Sequence, residues 1–178
     1  MKEEERKAFE EKRFSEMKRH YENRFHDDGA MGRIFELTCH TKYSTKTKVS
    51  CQDKADTFIM CDKIPVPAEC KINGGRITGL RNGKSKFVIY TMDFTQKHKA
   101  TKKSPAWEER RIVKPVLIPT NIFLAALDRF GATKSTNGRN PEEAIQVSSK
   151  KFYEWLLDWP IPYEPDTRYT KEDFEGLE

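Results

Sequence analysis

Residues 54–76, KADTFIMCDKIPVPAECKINGGR, decide how the chain is expected to fold. Asp56 opens a short strand that runs through Thr57 to Met60, and a tight turn follows at Cys61-Asp62-Lys63, since Asp favours turns for local reasons. Beyond the turn, apolar and polar residues alternate, which predicts a second strand with one face toward a core. The predicted core-facing residues are Val66, Ala68, Cys70 and Ile72.

The opposite face of the second strand carries the candidate chemistry. Glu69 and Lys71 are two residues apart on it and therefore point into one space. If the two strands pair, Asp56 projects into the same space. Neighbouring carboxylates repel, burial raises the cost of ionising both, and a hard cation such as Mg²⁺ relieves that cost. The pattern therefore provides a workable site for metal-assisted phosphodiester hydrolysis.

Asp56 followed by Glu69-Cys70-Lys71 resembles the signature of the PD-(D/E)XK nuclease superfamily, which includes type II restriction endonucleases and Holliday-junction resolvases. The resemblance covers about residues 29 to 76, with weaker support to about residue 130. Ala55 stands where many members carry a proline, and the motif has only three fixed letters. Two β-like runs and the pair Gly74-Gly75 before Arg76 give the motif its context.

This resemblance implies a role for each motif residue. Asp56 and Glu69 would hold Mg²⁺, with Mn²⁺ able to substitute, and Lys71 would assist the attacking water. The backbone carbonyl of Cys70 would be a further metal ligand. Glu36, on a helix predicted over Ala30–Cys39, would be the helical carboxylate that such nucleases often add to the site.

Three alternatives stay open at the level of sequence. The stretch is also compatible with an ordinary hairpin that carries a Glu-x-Lys pair on a solvated face. Asp62 competes with Asp56 for the role of first carboxylate, although its place in a turn favours Asp56. Glu36 is equally compatible with an exposed helical position without a role in chemistry.

The expected fold class is α/β, with a mixed, partly antiparallel sheet flanked by helices, as in the restriction-endonuclease core. Three parts are predicted: a charged N-terminal helix over 1–28, the nuclease-like domain over 29–162 and an acidic surface tail over 163–178. A charged stretch without Gly or Pro indicates the first helix. Pro160, Pro162 and Pro165, around the start of this tail, exclude further helix.

The chain after the motif predicts a series of further elements. The sequence predicts extended chain at Ile77–Leu80, a turn at Asn82-Gly83, an apolar central strand at Phe87–Met92, and a strand at Val113–Ile118 placed near an edge by Pro115. It further predicts a helix from Thr120 that Gly131 caps, a last strand at Ala144–Val147, and a helix through Asp158 capped by Ser148 or Ser149.

Composition sets the broad class of the protein. The chain has 178 residues and a formal net charge of +5, enough for one domain with a core but too little charge alone to indicate a nucleic-acid partner. A highly charged N-terminus and the lack of a long apolar run argue against a signal peptide or membrane span. Four irregularly spaced cysteines do not suggest disulfides. A soluble cytoplasmic protein is expected.

The distribution of basic residues predicts DNA as the partner. Lys97 to Lys103, KHKATKK, contains no acidic residue and has the composition of a phosphate-binding loop. Trp107 is expected to pack on the body of the protein. The predicted DNA-binding residues are Lys42, Lys46, Lys48, Lys54, Arg76, Lys97, Lys99, Lys102, Lys103, Arg110 and Arg111.

The function predicted from sequence is Mg²⁺-dependent endonucleolytic cleavage of DNA, of the type II restriction kind. A Holliday-junction resolvase, or a recombination or phage nuclease of the same superfamily, is the first alternative. A non-catalytic DNA-binding module is the second. A homodimer would suit either endonuclease, because two active sites match two strands or a two-fold symmetric junction.

Overall fold

The computed structural model describes residues 3–5, 7–8, 11–12, 35, 38–39, 56–83, 85–136, 139 and 141–178. These form an α/β structure with a five-stranded sheet of order β4-β3-β2-β1-β7 and a two-stranded sheet of β5 and β6. The strands are β1 (Thr57–Cys61), β2 (Ile64–Ile72), β3 (Phe87–His98), β4 (Trp107–Pro119), β5 (Thr133–Ser135), β6 (Glu143–Ile145) and β7 (Arg168–Tyr169). The described helices are α1 (Thr78–Asn82), α2 (Thr120–Arg129) and α3 (Lys150–Asp158), with a 3₁₀ turn at Lys171–Phe174.

The large sheet is mixed, as predicted. β1 pairs antiparallel with β2, β2 parallel with β3, β3 antiparallel with β4, and β1 parallel with β7. Since β2 and β3 are parallel, the chain must cross over between them, and the short helix α1 lies in that connection. The predictions of extended chain at Ile77–Leu80 and of a hairpin turn at Asn82-Gly83 are therefore wrong. Gly83 instead ends α1, where a Cβ atom would collide with the backbone oxygen of Gly79.

Strand β4 forms one edge of the sheet and contains a proline, as the sequence predicts. Between Tyr90 and Met92 the pairing of β3 with β4 shifts by one residue, which gives β4 an extra residue beside Pro115. A bulge at an edge tolerates proline because the missing N–H would not have joined the ladder. The backbone of Tyr163 donates to the carbonyl of Pro115 and Leu117 donates to Ile161, so the segment after α3 covers this edge.

The core has one aromatic cluster on each face of the sheet. Phe87 and Tyr90 are three positions apart on β3 and therefore point to opposite faces. Tyr90 contacts Phe123 of α2 and Phe152 of α3, with ring centroids 5.5 and 5.9 Å away. On the other face, Phe87 lies 5.1 Å from Phe174. The two helices thus cover one face, and the C-terminal segment covers part of the other.

The C-terminal segment is part of the fold rather than a surface tail. Tyr163, Tyr169 and Phe174 are buried, and β7 extends the large sheet beside β1. The hydroxyl of Tyr163 donates to the backbone oxygen of Cys39, which anchors this segment to the chain before the motif. The prediction of a surface-lying tail over 163–178 is wrong, because its aromatic residues, not its acidic ones, determine its place.

The N-terminal part is described at few positions. Residues 3–5, 7–8 and 11–12 are helical and exposed; the rest of the helix predicted over 1–28 lies outside the described residues, and that helix stays a prediction. Of the second predicted helix, Phe35 and Thr38 are helical, and Phe35 and Cys39 are buried. In the part of the chain that the structure describes, no helix is long and apolar enough to cross a membrane.

Candidate active site on strands β1 and β2

The turn between β1 and β2 determines which aspartate reaches the candidate site. Asp62 and Lys63 both have positive φ, 51° and 66°, as a two-residue hairpin turn that follows the twist of its strands requires. The carboxylate of Asp62 is exposed and accepts a hydrogen bond from the backbone of Lys171 at 3.2 Å. Asp62 thus lies at the far end of the hairpin from Glu69, and Asp56 is the aspartate beside Glu69.

Asp56 and Glu69 meet where the hairpin ladder begins. Thr57 pairs with Ala68 in the antiparallel register, so Asp56 stands opposite Glu69 one position further along. Asp56 accepts a hydrogen bond at 2.9 Å from the backbone amide of Cys70. This bond extends the hairpin beyond its last paired residues and fixes the aspartate carboxylate beside β2. The proximity expected from the sequence is therefore present in the structure.

The protonation of Glu69 reflects this arrangement. Burial, the negative charge of Asp56 and a hydrogen bond between the two side chains raise the pKa of Glu69 to about 8. Lys71 and a hydrogen bond from the hydroxyl of Ser85, 3.3 Å from Oε1, act in the opposite direction. Because repulsion and desolvation outweigh these two partners, the pair holds a proton at neutral pH unless a cation compensates its charge.

Lys71 lies on the same face of β2, as the alternation predicts. Its side chain passes Gly75, where a Cβ atom would stand 3.6 Å from the lysine Cδ. Gly75 has φ of +148° and Asn73 has φ of 55°, so the chain after β2 turns sharply in conformations that favour glycine and asparagine. Tyr90, which pairs with Lys71, donates from its hydroxyl to the backbone oxygen of Asn73 and holds this turn.

The backbone of Cys70 also faces the site. In a strand, the N–H and C=O of one residue point to the same side, as the exchange of both bonds within a hydrogen-bonded pair shows. Since the amide of Cys70 donates to Asp56, its carbonyl lies on the side of the strand where Asp56 is found. Cys70 itself is half-buried, and its side chain packs against the core rather than toward Glu69.

The carboxylates of Asp56 and Glu69 and the carbonyl of Cys70 are oxygen donors that suit a hard cation. Among the residues that the structure describes, no group of three or more His, Cys, Asp or Glu side chains could hold a metal ion. Two carboxylates with a nearby carbonyl are nevertheless the incomplete oxygen set that Mg²⁺ accepts, because Mg²⁺ keeps several waters and takes further ligands from phosphates. Glu36 lies outside the described residues, so its contribution stays a prediction.

The predicted DNA-binding residues fall into three groups. Lys42, Lys46, Lys48 and Lys54 lie outside the described residues. Lys97, Lys99, Lys102 and Lys103 are exposed at the tip of the β3–β4 hairpin. Arg76 and Arg110 are exposed but form ion pairs, Arg76 with Glu142 at 3.0 Å and Arg110 with Asp93 at 2.9 Å.

Arg111 is the exception, and its prediction as a DNA contact is wrong. Its side chain is 3% exposed, it donates to the backbone oxygen of Ser148 at 2.9 Å, and its guanidinium lies over the ring of Tyr153. Neighbouring residues of a strand point to opposite faces, so Arg110 and Arg111 cannot both face solvent. Trp107 also differs from expectation: it is 50% exposed and stacks on His98, with ring centroids 3.9 Å apart.

One contact at the site has no signal in the sequence. Ser85 reaches Glu69 because its neighbour Lys86 donates a backbone hydrogen bond to Pro67 of β2. The parallel pairing of β3 with β2 determines that position, and nothing in the local sequence around Ser85 indicates it.

No protein-family model, no curated protein and no solved structure matches this chain.

Proposed function

We propose that the protein hydrolyses phosphodiester bonds of DNA in a Mg²⁺-dependent reaction at Asp56, Glu69 and Lys71. The observation that carries this proposal is the Asp56–Glu69 pair, two carboxylates held together on neighbouring strands although their contact raises the pKa of Glu69. Strongly shifted carboxyl groups with a named charged partner are characteristic of functional sites. The motif resemblance to PD-(D/E)XK nucleases supports the same assignment.

Each residue has a distinct task in this proposal. Asp56 and Glu69 bind the cation, with the Cys70 carbonyl as a third oxygen ligand. Mg²⁺, when bound, supplies Lewis-acid activation of water and stabilisation of the leaving oxygen. Lys71 orients the attacking water and offsets the negative charge that develops on the phosphate. Ser85 keeps Glu69 in the orientation in which its carboxylate faces Asp56.

Glu36 is proposed as an additional carboxylate of the site. The described neighbours of Glu36 support its inclusion: Cys39 is buried, and its backbone oxygen accepts from the hydroxyl of Thr57 at 3.3 Å. Thr57 follows Asp56 directly, so Cys39, three positions after Glu36 in the sequence, lies near the start of β1. A Glu36→Gln variant with weakened Mg²⁺ binding would support this role, and unchanged Mg²⁺ binding would remove Glu36 from the site.

Within this reaction class, we favour an endonuclease of the type II restriction kind. A site on a hairpin at the body of the sheet, with a projecting basic hairpin beside it, is suited to binding along a duplex. Preferred cleavage of plasmid DNA would indicate this activity, whereas preferred cleavage of a four-way junction would indicate junction resolution. Tight binding without cleavage in Mg²⁺ would instead identify a non-catalytic DNA-binding module.

The test is incubation with supercoiled plasmid and with a synthetic four-way junction, each in Mg²⁺ and in EDTA. Lys71→Ala and Asp56→Asn run beside the wild type, and Asp62→Asn serves as the matched control because its carboxylate lies in the turn. We expect metal-dependent cutting by the wild type and by Asp62→Asn, and none by the other two. Cutting that survives both site variants, or no cutting of either substrate, would overturn the proposal.

A further inference from the structure

The hairpin of β3 and β4 extends far beyond the rest of the sheet. β2 ends at Ile72, which pairs with Thr91 of β3, but β3 and β4 remain paired as far as His98 and Trp107. We call residues 92–113 the arm. His98 lies seven positions after Thr91, which corresponds to about 24 Å at about 3.4 Å per residue. The arm is thus a two-stranded ribbon that projects from the end of β2 that carries Lys71.

The two faces of the arm differ in what covers them. One face is attached to the body at its base, where Arg111 is buried against Ser148 and Tyr153 beside α3. The other face is exposed along its whole length and polar except at Ile112. It carries Asp93, Thr95, Lys97, Glu108, Arg110 and Ile112, all of them exposed.

The tip of the arm is strongly basic and structurally defined. Residues 99–106 are exposed, and no acidic residue occurs from Lys97 to Trp107, which contains four lysines. His98 and Trp107 face each other across the ribbon and stack with an interplanar angle of 11°. Within the loop, the backbone amide of Thr101 donates to the oxygen of Ser104 at 2.9 Å. The lysines therefore extend from a closed turn, which holds their positive charge at one end of the ribbon.

We propose that the arm enters the major groove of duplex DNA and that the lysines at its tip contact the phosphates on either side of the groove. The major groove is about 12 Å wide and admits a two-stranded ribbon. On the exposed face, Thr95 provides a hydroxyl that can read a base edge, and Arg110, which pairs with Asp93 in the free protein, reads one by exchanging that carboxylate for the base. Lys97, Lys99, Lys102 and Lys103 provide the charge that phosphates attract. This inference rests on the proposed function for its choice of DNA as the partner.

The length of the arm places its phosphate-binding tip away from the proposed cleavage site. His98 lies ten positions after Val88, the partner of Glu69, on β3, which places the tip at most about 34 Å along the strand from the carboxylates. That distance equals roughly ten base pairs of B-DNA at about 3.4 Å each. The tip therefore contacts DNA up to one helical turn from the bond that is cut. It therefore contributes to binding at a distance from the carboxylates.

The arm is tested by replacing Lys97, Lys99, Lys102 and Lys103 together with alanine in the Asp56→Asn background, so that binding is measured without cleavage. The matched control replaces four other exposed basic residues with the same loss of charge: Lys134, Lys151, Arg168 and Lys171. We expect the arm variant to bind a duplex on the order of 100-fold more weakly at low salt. Its salt slope should be smaller by about 3 to 4, as about 0.9 per phosphate contact implies, and the control should retain both values.

Two further measurements complete the test. With active protein limiting and DNA varied, the arm variant should show a raised KM for plasmid cleavage, because binding of the duplex is impaired. Methyl green, which occupies the major groove, should compete with the protein for DNA, whereas distamycin in the minor groove should not. Competition by distamycin alone would overturn the groove assignment.

The outcomes distinguish the two proposals. If the wild type cuts DNA while the arm variant keeps its affinity and salt slope, the arm proposal fails and the proposed function stands. A wild type that neither binds nor cuts DNA would overturn both.

Discussion

Among the described residues, two clusters that each hold a pair of carboxylates treat the negative charge differently. At the first, Asp56 and Glu69 contact each other with Lys71 as the nearby cation, and the pKa of Glu69 is raised. At the second, Arg81 of α1 donates to Asp128 of α2 at 2.7 Å and to Glu143 of β6 at 2.8 Å. The guanidinium lies between these two acids and donates hydrogen bonds to both of them, although its single positive charge offsets only one of the two negative charges.

The difference indicates which cluster serves structure and which is open to a ligand. The Arg81 cluster joins three elements, and its charges are satisfied by hydrogen bonds within the protein. The negative charge of the Asp56–Glu69 pair is compensated by a bound proton or a cation. Burial and repulsion from Asp56 raise the pKa of Glu69 more than Lys71 and Ser85 lower it. We therefore assign chemistry to the first cluster and stability to the second.

The largest expected effect is on cleavage. Asp56→Asn keeps an oxygen that can accept from the Cys70 amide but removes a metal-binding charge, so cleavage should fall by more than about 1,000-fold, as the loss of several kcal/mol of metal catalysis implies. Asp128→Asn in the Arg81 cluster should cut at the wild-type rate. Initial rates on plasmid DNA measure both. Equal losses in the two variants would erase the proposed distinction between the clusters.

The next effect concerns the Arg81 cluster, where we expect a change in stability rather than in cleavage. Arg81→Ala leaves Asp128 and Glu143 without their common partner, so it should lower the free energy of unfolding by about 1–2 kcal/mol, a range reduced for the partial exposure of the cluster. Arg76→Ala is the matched control, since Arg76 forms one exposed ion pair and should change stability by less than about 0.5 kcal/mol. Urea unfolding in EDTA gives both values. Similar values for the two variants would show that the Arg81 cluster has no special structural role.

The third effect is a pH dependence that is specific to the Asp56–Glu69 pair. Folding raises the pKa of Glu69 from 4.5 to about 8, so between these values the native state binds a proton that the unfolded state lacks. Stability therefore decreases as pH rises through this window, by up to about 1.4 kcal/mol per pH unit from this group. Asp56→Asn should flatten the decrease. Urea unfolding at pH 5, 6, 7 and 8 without metal tests this, and parallel curves for the two proteins would contradict it.

The smallest effect concerns Ser85. Its hydrogen bond lowers the pKa of Glu69, so Ser85→Ala should raise that pKa and move the rising limb of the cleavage–pH profile to higher pH. Ser104→Ala, in the arm loop, is the control and should leave the profile in place. A shift of the Ser85→Ala profile to lower pH would show that the hydroxyl favours the protonated acid.

The sequence predicts the hairpin well because alternation and turn chemistry are local signals. Ala68 is fully buried, and Asp62 and Lys63 form the turn. Helix α1 is not recognised because it is five residues long and contains Gly79, so its composition resembles a turn. The position of Arg111 could have been anticipated, since strand alternation separates it from Arg110.

The remaining differences depend on contacts between distant parts of the chain. Tyr163, Tyr169 and Phe174 have no helical or strand period, so their burial follows from the uncovered face of the sheet rather than from local sequence. The contact of Ser85 with Glu69 joins residues 16 positions apart and depends on the parallel register of β2 and β3. Local patterns thus identify the acidic pair, whereas the fold determines what surrounds it.

The most direct test of the central claim is calorimetric titration of Mg²⁺ into the protein at pH 7, in two buffers with different ionisation enthalpies. If Asp56 and Glu69 bind the ion, Mg²⁺ must displace the proton held by Glu69, and we expect close to one proton released per ion bound. Asp56→Asn should show neither the binding nor the proton release. Mg²⁺ binding without proton release, or identical titrations for the two proteins, would contradict the assignment of this pair as the metal site.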